Sequence, residues 1–188
     1  MTELRTPLTE KAVRELKIGD MVYLTGDVIT GRDEMHMRVM EYSSQGKPVL
    51  EWLRGSALYH CGPIIIKNGE KWKAVAAGPT TSARMDSMEP DMIRRFGIRA
   101  IIGKGGMSKE TGDAMREVGC VYLSAVGGAA ISLAESIAEV RGVEWEDMGM
   151  AEAAWRFRVE RMGPLIVAMD ARGGSLYENV RSKLVRGF

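Results

Sequence analysis

The fold class of this chain is decided by the stretch Ile98-Arg99-Ala100-Ile101-Ile102-Gly103-Lys104-Gly105-Gly106. An almost wholly apolar run here ends in a glycine-rich turn, and residues 109–118 follow it with a helical pattern. Two more apolar runs, at 120–123 and 165–169, are typical of strands that are buried on both faces. A second helical pattern covers residues 129–140. Because strands and helices alternate, this half of the chain predicts right-handed βαβ units.

The first half of the chain is richer in predicted strand. Its predicted elements are a helix over 9–16 with Thr9 as N-cap, an extended segment over 21–29 that Gly26 interrupts, a helix over 31–42, and strands over 58–67 and 71–77. Asn68-Gly69 is a strong two-residue hairpin signal between the last two strands. We therefore expect residues 1–188 to form a single domain of the α/β class, with either a three-layer β/β/α or a plain α/β arrangement, in which a β-rich first half is followed by βαβ units.

Charge and hydropathy exclude several classes of protein. The 188 residues contain 26 basic and 25 acidic side chains, and this net charge of +1 argues against a nucleic-acid binder or a binder of anionic membranes. No apolar run approaches the ~20 residues that a membrane span requires. We therefore expect neither a nucleic acid nor a membrane among the partners.

Metal-ligating residues are scarce in this sequence. Cys61 and Cys120 are too few for a disulfide framework, which favours a reducing, cytoplasmic compartment. They are also too few for an iron–sulfur cluster, which takes three or four thiolates. The two histidines, His36 and His60, are too few to predict a metal site. We expect this chain to bind no metal by itself.

The segment Gly78-Pro79-Thr80-Thr81-Ser82-Ala83-Arg84 has the most informative chemistry. Three hydroxyl residues follow a predicted strand, and we expect them to begin a helix whose free N–H groups attract a carboxylate or a phosphate. Arg84 lies one turn further along the same face, where its guanidinium can add a two-point contact to that anion. The alternative is an ordinary helix N-cap followed by a surface arginine.

Two other loops place a basic residue where an anion could bind. Lys104 lies in the glycine-rich turn after a buried strand, at the sheet edge where ligands bind in open α/β folds. The alternative for Lys104 is a turn lysine in solvent. Arg32 opens a predicted helix, where a basic side chain opposes the helix dipole unless an anion is bound. The alternative for Arg32 is a surface ion pair with Asp33 or Glu34.

Taken in order, these motifs resemble a known family. The chain is similar to the β subunit, or C-terminal domain, of iron–sulfur class I fumarases and of the related L(+)-tartrate dehydratases. The motifs that carry the resemblance are Gly31-Arg32-Asp33, His60-Cys61-Gly62-Pro63, Gly78 to Met85, Gly103-Lys104-Gly105-Gly106-Met107 and Gly127-Gly128-Ala129-Ala130. The resemblance covers nearly the whole chain, although Arg172 and Gly174 depart from the lysine and asparagine that are usual in the family.

The resemblance implies a swivelling β/β/α fold and a hydro-lyase that interconverts (S)-malate and fumarate. It also implies that a separate α subunit carries a [4Fe-4S] cluster, in an expected α2β2 heterotetramer. Arg32, Arg84 and Lys104 correspond to ligands of the substrate carboxylates. Thr80 corresponds to the residue that abstracts a proton, and Thr81 to its hydrogen-bonding partner. A β subunit of L(+)-tartrate dehydratase and a non-catalytic dicarboxylate-binding regulatory domain stay open as alternatives.

Overall fold

The computed structural model describes residues 2–69, 71–126 and 128–185, which form a mixed α/β fold with a sheet-rich core. The strands are β1 (Thr2–Arg5), β2 (Met21–Thr30), β3 (Ala57–Tyr59), β4 (Ile64–Asn68), β5 (Lys71–Ala76), β6 (Ala100–Gly103), β7 (Val121–Ser124), β8 (Ile137–Glu144) and β9 (Ala154–Met169). The α-helices are α1 (Glu10–Glu15), α2 (Asp33–Ser44), α3 (Glu89–Phe96), α4 (Lys109–Val118), α5 (Ala130–Glu135) and α6 (Leu176–Val185). Short 3₁₀ helices cover Glu51–Leu53, Ser82–Met85 and Glu146–Met148. None of the helices in the described ranges has the length and apolar character of a bilayer-spanning segment.

The main sheet has seven strands in the order β1-β2-β3-β6-β7-β9-β8. Neighbours from β1 to β7 in this order are parallel, whereas β9 runs antiparallel to β2, β7 and β8. β2 also pairs with β9. The hydrogen-bonded neighbours β2, β3, β6, β7 and β9 therefore form a closed ring, in which β9 pairs again with β2. The hairpin of β4 and β5 is separate from this sheet.

Two apolar clusters lie on opposite faces of the parallel strands. In β6, Ala100 and Ile102 belong to one cluster and Ile101 belongs to the other. The second cluster joins the strands to α2, α3 and α4 through buried side chains such as Met35 and Met92. Because both faces are buried, these strands consist of nearly uninterrupted apolar residues, as the sequence predicts.

Several predicted elements are confirmed. α4 spans residues 109–118 as predicted, and the Thr9 hydroxyl caps α1. β6 and β7 occupy two of the predicted apolar runs, and the run at 165–169 is the last part of the 16-residue β9. The antiparallel pairing of Asn68 with Lys71 confirms the predicted hairpin.

Three predicted boundaries are wrong. The helix predicted over 129–140 is α5 followed by β8, because pairing with β9 overrides the helical pattern of the second part. The strand predicted over 58–67 is two strands, since Gly62-Pro63 carries the chain from the main sheet to the hairpin. Gly26 does not interrupt β2. Its φ of +126° lets the backbone pass close to Thr6, where a side chain would collide.

The carboxyl ends of β2, β3 and β6 lie at one edge of the sheet, because the three strands are parallel. Backbone pairing continues into the loops that follow. The Gly31 N–H donates to the carbonyl of Tyr59 over 3.0 Å, and the His60 N–H donates to the carbonyl of Ile102 over 2.8 Å. The loops after these strands are therefore held side by side.

Candidate functional site

The five residues that the sequence predicts for the site all lie at this edge. Arg32 immediately precedes α2, and Lys104 immediately follows β6. Thr81 pairs with Lys104 in a parallel β-bridge. The Thr80 N–H donates to a carbonyl in the loop after β3 over 2.7 Å, and Arg84 lies in the 3₁₀ helix that follows. The topology thus brings together residues from three separate loops.

The hydroxyl run does not begin an α-helix, which corrects the prediction. Thr81 has an extended backbone, and its bridge to Lys104 continues the sheet. Only the four-residue 3₁₀ helix Ser82–Met85 follows, and α3 begins at Glu89. In the part of the chain that the structure describes, no α-helix dipole is therefore directed at Thr80, and a site for an anion there would depend on the basic side chains of the adjacent loops.

Each of the two arginines is oriented by a carboxylate of this chain. Arg84 makes a two-point ion pair with Asp33, with distances of 3.1 Å from Nε and 2.8 Å from Nη2. Arg32 Nε lies 3.2 Å from a carboxylate oxygen of Glu152, so its partner is neither Glu34 nor Asp33. Asp33 pairs with Arg84 instead. A guanidinium has five N–H donors, and these pairs engage only part of them. Both arginines keep donors for a further carboxylate.

The site is open to solvent. The Arg84 side chain is 50% exposed, and Thr81 is exposed as well. Thr80 and Lys104 are half-buried, and the ion pairs formed within the described ranges do not include the Lys104 ammonium. Exposed cations of this kind can attract an anion, but solvent screens their charge.

A fully buried polar group supports these loops from inside. His36 belongs to α2, His60 follows β3, and Glu89 is the first residue of α3. Nε2 of His36 lies 2.9 Å from Oε2 of Glu89, and Nε2 of His60 lies 3.1 Å from the same oxygen. The two imidazole rings meet edge to face with centroids 5.4 Å apart. One oxygen of the Glu89 carboxylate therefore lies at hydrogen-bond distance from both imidazoles.

Opposite effects of burial and charge decide the ionisation of this group. Burial opposes ionisation of Glu89, but the two imidazoles outweigh it and lower the pKa of Glu89 to about 2. Burial opposes protonation of His36, yet the Glu89 carboxylate raises the pKa of His36 above its usual value. For His60 burial prevails and lowers the pKa, helped by the neighbouring His36. Near pH 6.5 these shifts favour an ionised Glu89, an imidazolium at His36 and a neutral imidazole at His60.

Hydrogen bonds extend this buried group to the glycine-rich loop. Nδ1 of His60 lies 2.9 Å from Oγ of Ser82, which lies 2.9 Å from the hydroxyl of Tyr122. The Gly106 N–H donates to that hydroxyl over 3.3 Å. A side chain at Gly103 would collide with the Ser82 hydroxyl, so glycine there leaves room for the connection.

The ligand atoms of His36, His60 and Glu89 lie within 4.8 Å of one another, so these residues could also hold a metal ion. Both Nε2 atoms, however, lie at hydrogen-bond distance from the carboxylate. A ring nitrogen that donates a proton has no lone pair for a metal. The contacts in this structure are those of an ion pair with hydrogen bonds.

Comparison with known proteins identifies the family. The family model for the Fumarase C-terminus matches residues 1–180 of this chain. The chain belongs to the Fumarase C-terminus family. A protein of Methanocaldococcus jannaschii, provisionally named L(+)-tartrate dehydratase subunit beta, is 46% identical over 178 residues, which are 94% of this chain and 91% of the relative.

Two other relatives of this Fumarase C-terminus chain differ in length. The L(+)-tartrate dehydratase subunit beta of Escherichia coli K12 is 38% identical over 173 residues, which are 92% of this chain and 85% of the relative. A protein of Geobacillus stearothermophilus, provisionally named fumarate hydratase class I, is 45% identical over 179 residues. These are 94% of this chain but 34% of that relative, so the chain matches about a third of the longer protein.

The cysteines of this family member do not fit an iron–sulfur cluster. Cys61 belongs to one apolar cluster and Cys120 to the other, on opposite faces of the parallel strands. Both thiols are fully buried, and burial raises the pKa of each, that of Cys61 to about 12. A cluster requires three or four converging thiolates. These two thiols do not converge, and burial favours their neutral form.

Sequence reasoning missed the buried group of His36, His60 and Glu89, because the three residues come from separate elements. One local signal could have pointed to it. His36 lies three residues before Val39 on the inward side of α2, and both are buried. A buried imidazole requires a hydrogen-bonding partner, so its position predicts a polar residue opposite that face.

Proposed function

We propose that this chain is the β subunit of a hydro-lyase that interconverts (S)-malate and fumarate plus water. The observation that carries the proposal is the meeting of Arg32, Arg84 and Lys104 with Thr80 at one open sheet edge, in a member of the Fumarase C-terminus family. The substrates have two carboxylates, which suit cations in three adjacent loops. In this proposal residues 1–188 act as one swivelling β/β/α domain, an arrangement supported by the two apolar clusters on either face of the parallel strands.

Arg32, Arg84 and Lys104 bind the carboxylates of the dicarboxylate substrate in this proposal. Arginine matches a carboxylate with two parallel N–H donors, and lysine adds a compact charge. Asp33 and Glu152 hold the two arginines in place before the substrate arrives. Such preorganisation lowers the entropic cost of binding, because the long side chains are already ordered.

We assign the proton transfer to Thr80, with Thr81 as its hydrogen-bonding partner. In the dehydration direction an activated Thr80 oxygen accepts the proton from carbon as the C–O bond breaks and hydroxide leaves, and this proton and the hydroxide together make the water that is released. A threonine hydroxyl is a weak base, so it must be activated for this step. The positive charges of Arg84 and Lys104 favour negative charge in their surroundings. The Thr80 N–H donates to the carbonyl of His60 over an N···O distance of 2.7 Å. This hydrogen bond fixes the backbone that carries the Thr80 hydroxyl.

The proposal places the other half of the site on a partner α subunit that carries a [4Fe-4S] cluster, in an α2β2 heterotetramer. Three observations support a partner. The two cysteines of this chain do not fit a cluster, and the site is a shallow exposed surface. The Geobacillus relative is about three times longer than the segment it shares with this chain, so there a second part belongs to the same polypeptide.

L(+)-tartrate is the alternative substrate. The relatives from M. jannaschii and E. coli, which match most of their length to this chain, carry names with tartrate dehydratase. Tartrate has the same two carboxylates and one more hydroxyl than malate, so the same cations suit it. The other alternative is a non-catalytic regulatory domain that binds dicarboxylates.

The function is tested by anaerobic capture of the tagged chain, with its natural partner, from the native host. The capture and the chain expressed alone are assayed with (S)-malate, fumarate and L(+)-tartrate. Turnover of malate and fumarate only by the capture supports the proposal. Faster turnover of tartrate transfers the assignment to tartrate dehydratase. Binding of dicarboxylates without turnover, in a capture that retains its partner and cluster, identifies a regulatory domain.

A further inference from the structure

We propose that His36, Glu89, His60, Ser82 and Tyr122 form a positioning array, one continuous chain of hydrogen bonds that sets the geometry of the loops bearing Arg32, Thr80 and Lys104. The positioning array connects α2, the loop after β3, α3, the 3₁₀ helix Ser82–Met85 and β7. Its kinetic consequence rests on the proposed function, whereas its protonation pattern does not.

The contacts of His36 fix both of its protons. Nδ1 lies 2.6 Å from the carbonyl oxygen of Arg32, and a carbonyl only accepts hydrogen bonds, so Nδ1 carries a proton. Nε2 lies 2.9 Å from the Glu89 carboxylate, which also only accepts when ionised, so Nε2 carries a proton as well. His36 is therefore an imidazolium paired with Glu89.

The direction of every later hydrogen bond follows from this pairing. His60 donates from Nε2 to the same Glu89 oxygen, and as a neutral imidazole it accepts at Nδ1. The Ser82 hydroxyl must then donate to Nδ1 and accept from the Tyr122 hydroxyl. Tyr122 in turn accepts from the N–H of Gly106. Each donor in this chain of hydrogen bonds has one acceptor. Reversing the direction of a single hydrogen bond therefore leaves a buried polar group unpaired.

Other charged groups also act on the two imidazoles. The Asp33 carboxylate favours protonation of His36. The Asp86 carboxylate favours protonation of His60, but burial and the neighbouring His36 prevail and lower the pKa of His60. The Cys120 thiol stands in the field of Glu89 and is neutral because burial raises its pKa. Asp86 is itself engaged, since the N–H of Ser108 donates to it over 2.9 Å. Glu89 is the carboxylate that contacts both rings.

The positioning array touches each loop of the site through the backbone. His36 holds the carbonyl of Arg32, and the carbonyl of His60 accepts the Thr80 N–H over 2.7 Å. The Ser82 N–H donates to the carbonyl of Lys104 over 3.0 Å. A change in the array therefore moves the site residues without removing any of their side chains.

Nitrogen NMR of the ¹⁵N-labelled full chain tests the array without any assay of activity. The chain has only two histidines, so the spectrum contains only two imidazoles. At about pH 6.5, the ordinary pKa of an imidazole, we expect one ring with protons on both nitrogens and one neutral ring protonated at Nε2. Two rings that titrate near an ordinary pKa of about 6.5 would overturn the proposal. Stoichiometric binding of added Zn²⁺ that shifts both rings would overturn it in favour of a metal site.

Ser82→Ala in the captured complex tests the effect on the site, because it removes the link between His60 and Tyr122. We expect kcat to fall roughly 10- to 100-fold, as for lost supporting contacts at catalytic sites, and KM to rise as well because the array also positions Arg32 and Lys104. Tyr122→Phe should reduce kcat less, since Ser82 can still donate to His60. Tyr122→Phe also keeps the test decisive if the alanine variant does not fold.

Thr25→Val is the matched control, because it deletes a buried hydroxyl that accepts from the Arg161 N–H over 3.0 Å and lies outside the array. A comparable loss of Tm with an unchanged kcat is expected for this control. If Ser82→Ala lowers Tm in the same way and leaves kcat unchanged, the array has only a structural role. A wild-type complex without any turnover refutes the proposed function instead, and the NMR result still decides the array.

Discussion

Replacing Glu89 by glutamine isolates the charge at the centre of the positioning array. The side chain is fully buried and accepts from both imidazoles, and glutamine keeps its shape without its charge. Removing one partner of a buried ion pair costs about 3–5 kcal/mol. A pKa lowered from 4.5 to about 2 corresponds to about 3 kcal/mol. We expect Glu89→Gln to lose about 3 kcal/mol of unfolding free energy at pH 6, a fall in Tm of roughly 6–12 °C.

The loss should depend on pH in a defined way. The folded-state pKa of Glu89 is lowered, so its contribution is complete above about pH 4.5 and disappears as the pH falls towards 2. The folded-state pKa of His36 is raised, so its contribution is complete below about pH 6.5 and disappears as the pH rises through the raised value. Both statements describe one ion pair. The difference in unfolding free energy between the wild-type chain and Glu89→Gln is therefore largest between about pH 4.5 and 6.5.

Urea unfolding followed by tryptophan fluorescence, at pH values inside and on both sides of that window, measures the effect. Glu117→Gln is the control, because Glu117 forms an exposed ion pair with Arg94 at 2.8 Å. Exposed pairs contribute little, so the control should resemble wild type at every pH. A Glu89→Gln chain as stable as the control, or a loss that does not change with pH, would refute the assignment of a buried ion pair.

Three other predictions concern the site itself and are measured on the captured complex. Arg84→Ala and Lys104→Ala should each lower kcat/KM about 30- to 150-fold, from about 2–3 kcal/mol per charged contact, and wild-type kinetics would exclude that residue. Thr80→Val should abolish turnover and leave the circular dichroism spectrum unchanged; more than about a tenth of the normal kcat excludes Thr80 as the base. Asp33→Asn should release Arg84 and raise KM more than it lowers kcat, and an unchanged KM would contradict the orienting role of Asp33.

The strands that are buried on both faces could be predicted from the sequence. The strand β8, which is the last in the order of the sheet, could not. Ile101 and Tyr122 face one apolar cluster while their neighbours face the other, so these segments have no polar positions to obscure them. Residues 137–144 contain charged side chains and alternate irregularly in exposure. Their sequence continues the helical pattern of residues 130–135. Residues 137–144 form a strand rather than a helix because they pair with β9.

At the site, residue types could be predicted from the sequence but their partners could not. Cations and hydroxyls in glycine-rich loops after buried strands indicate an anion site by local pattern alone. The carboxylates that orient the cations are distant in the sequence. Asp33 lies 51 residues before Arg84, and Glu89 lies 53 residues after His36. Contacts over such separations follow from the order of strands in the sheet, which a local pattern does not determine.

The charge balance of the edge argues that this chain provides one half of a site. Arg32, Arg84 and Lys104 are positive, while Asp33 and Glu152 neutralise two of these charges. A dicarboxylate brings two negative charges to a surface with one uncompensated cation. In open water a pair of unit charges 4 Å apart gains only about 1 kcal/mol, and the same pair gains several times more where solvent is excluded. A partner that covers the edge both strengthens these contacts and can supply further positive charge, so weak binding to the isolated chain is the behaviour expected of a β subunit.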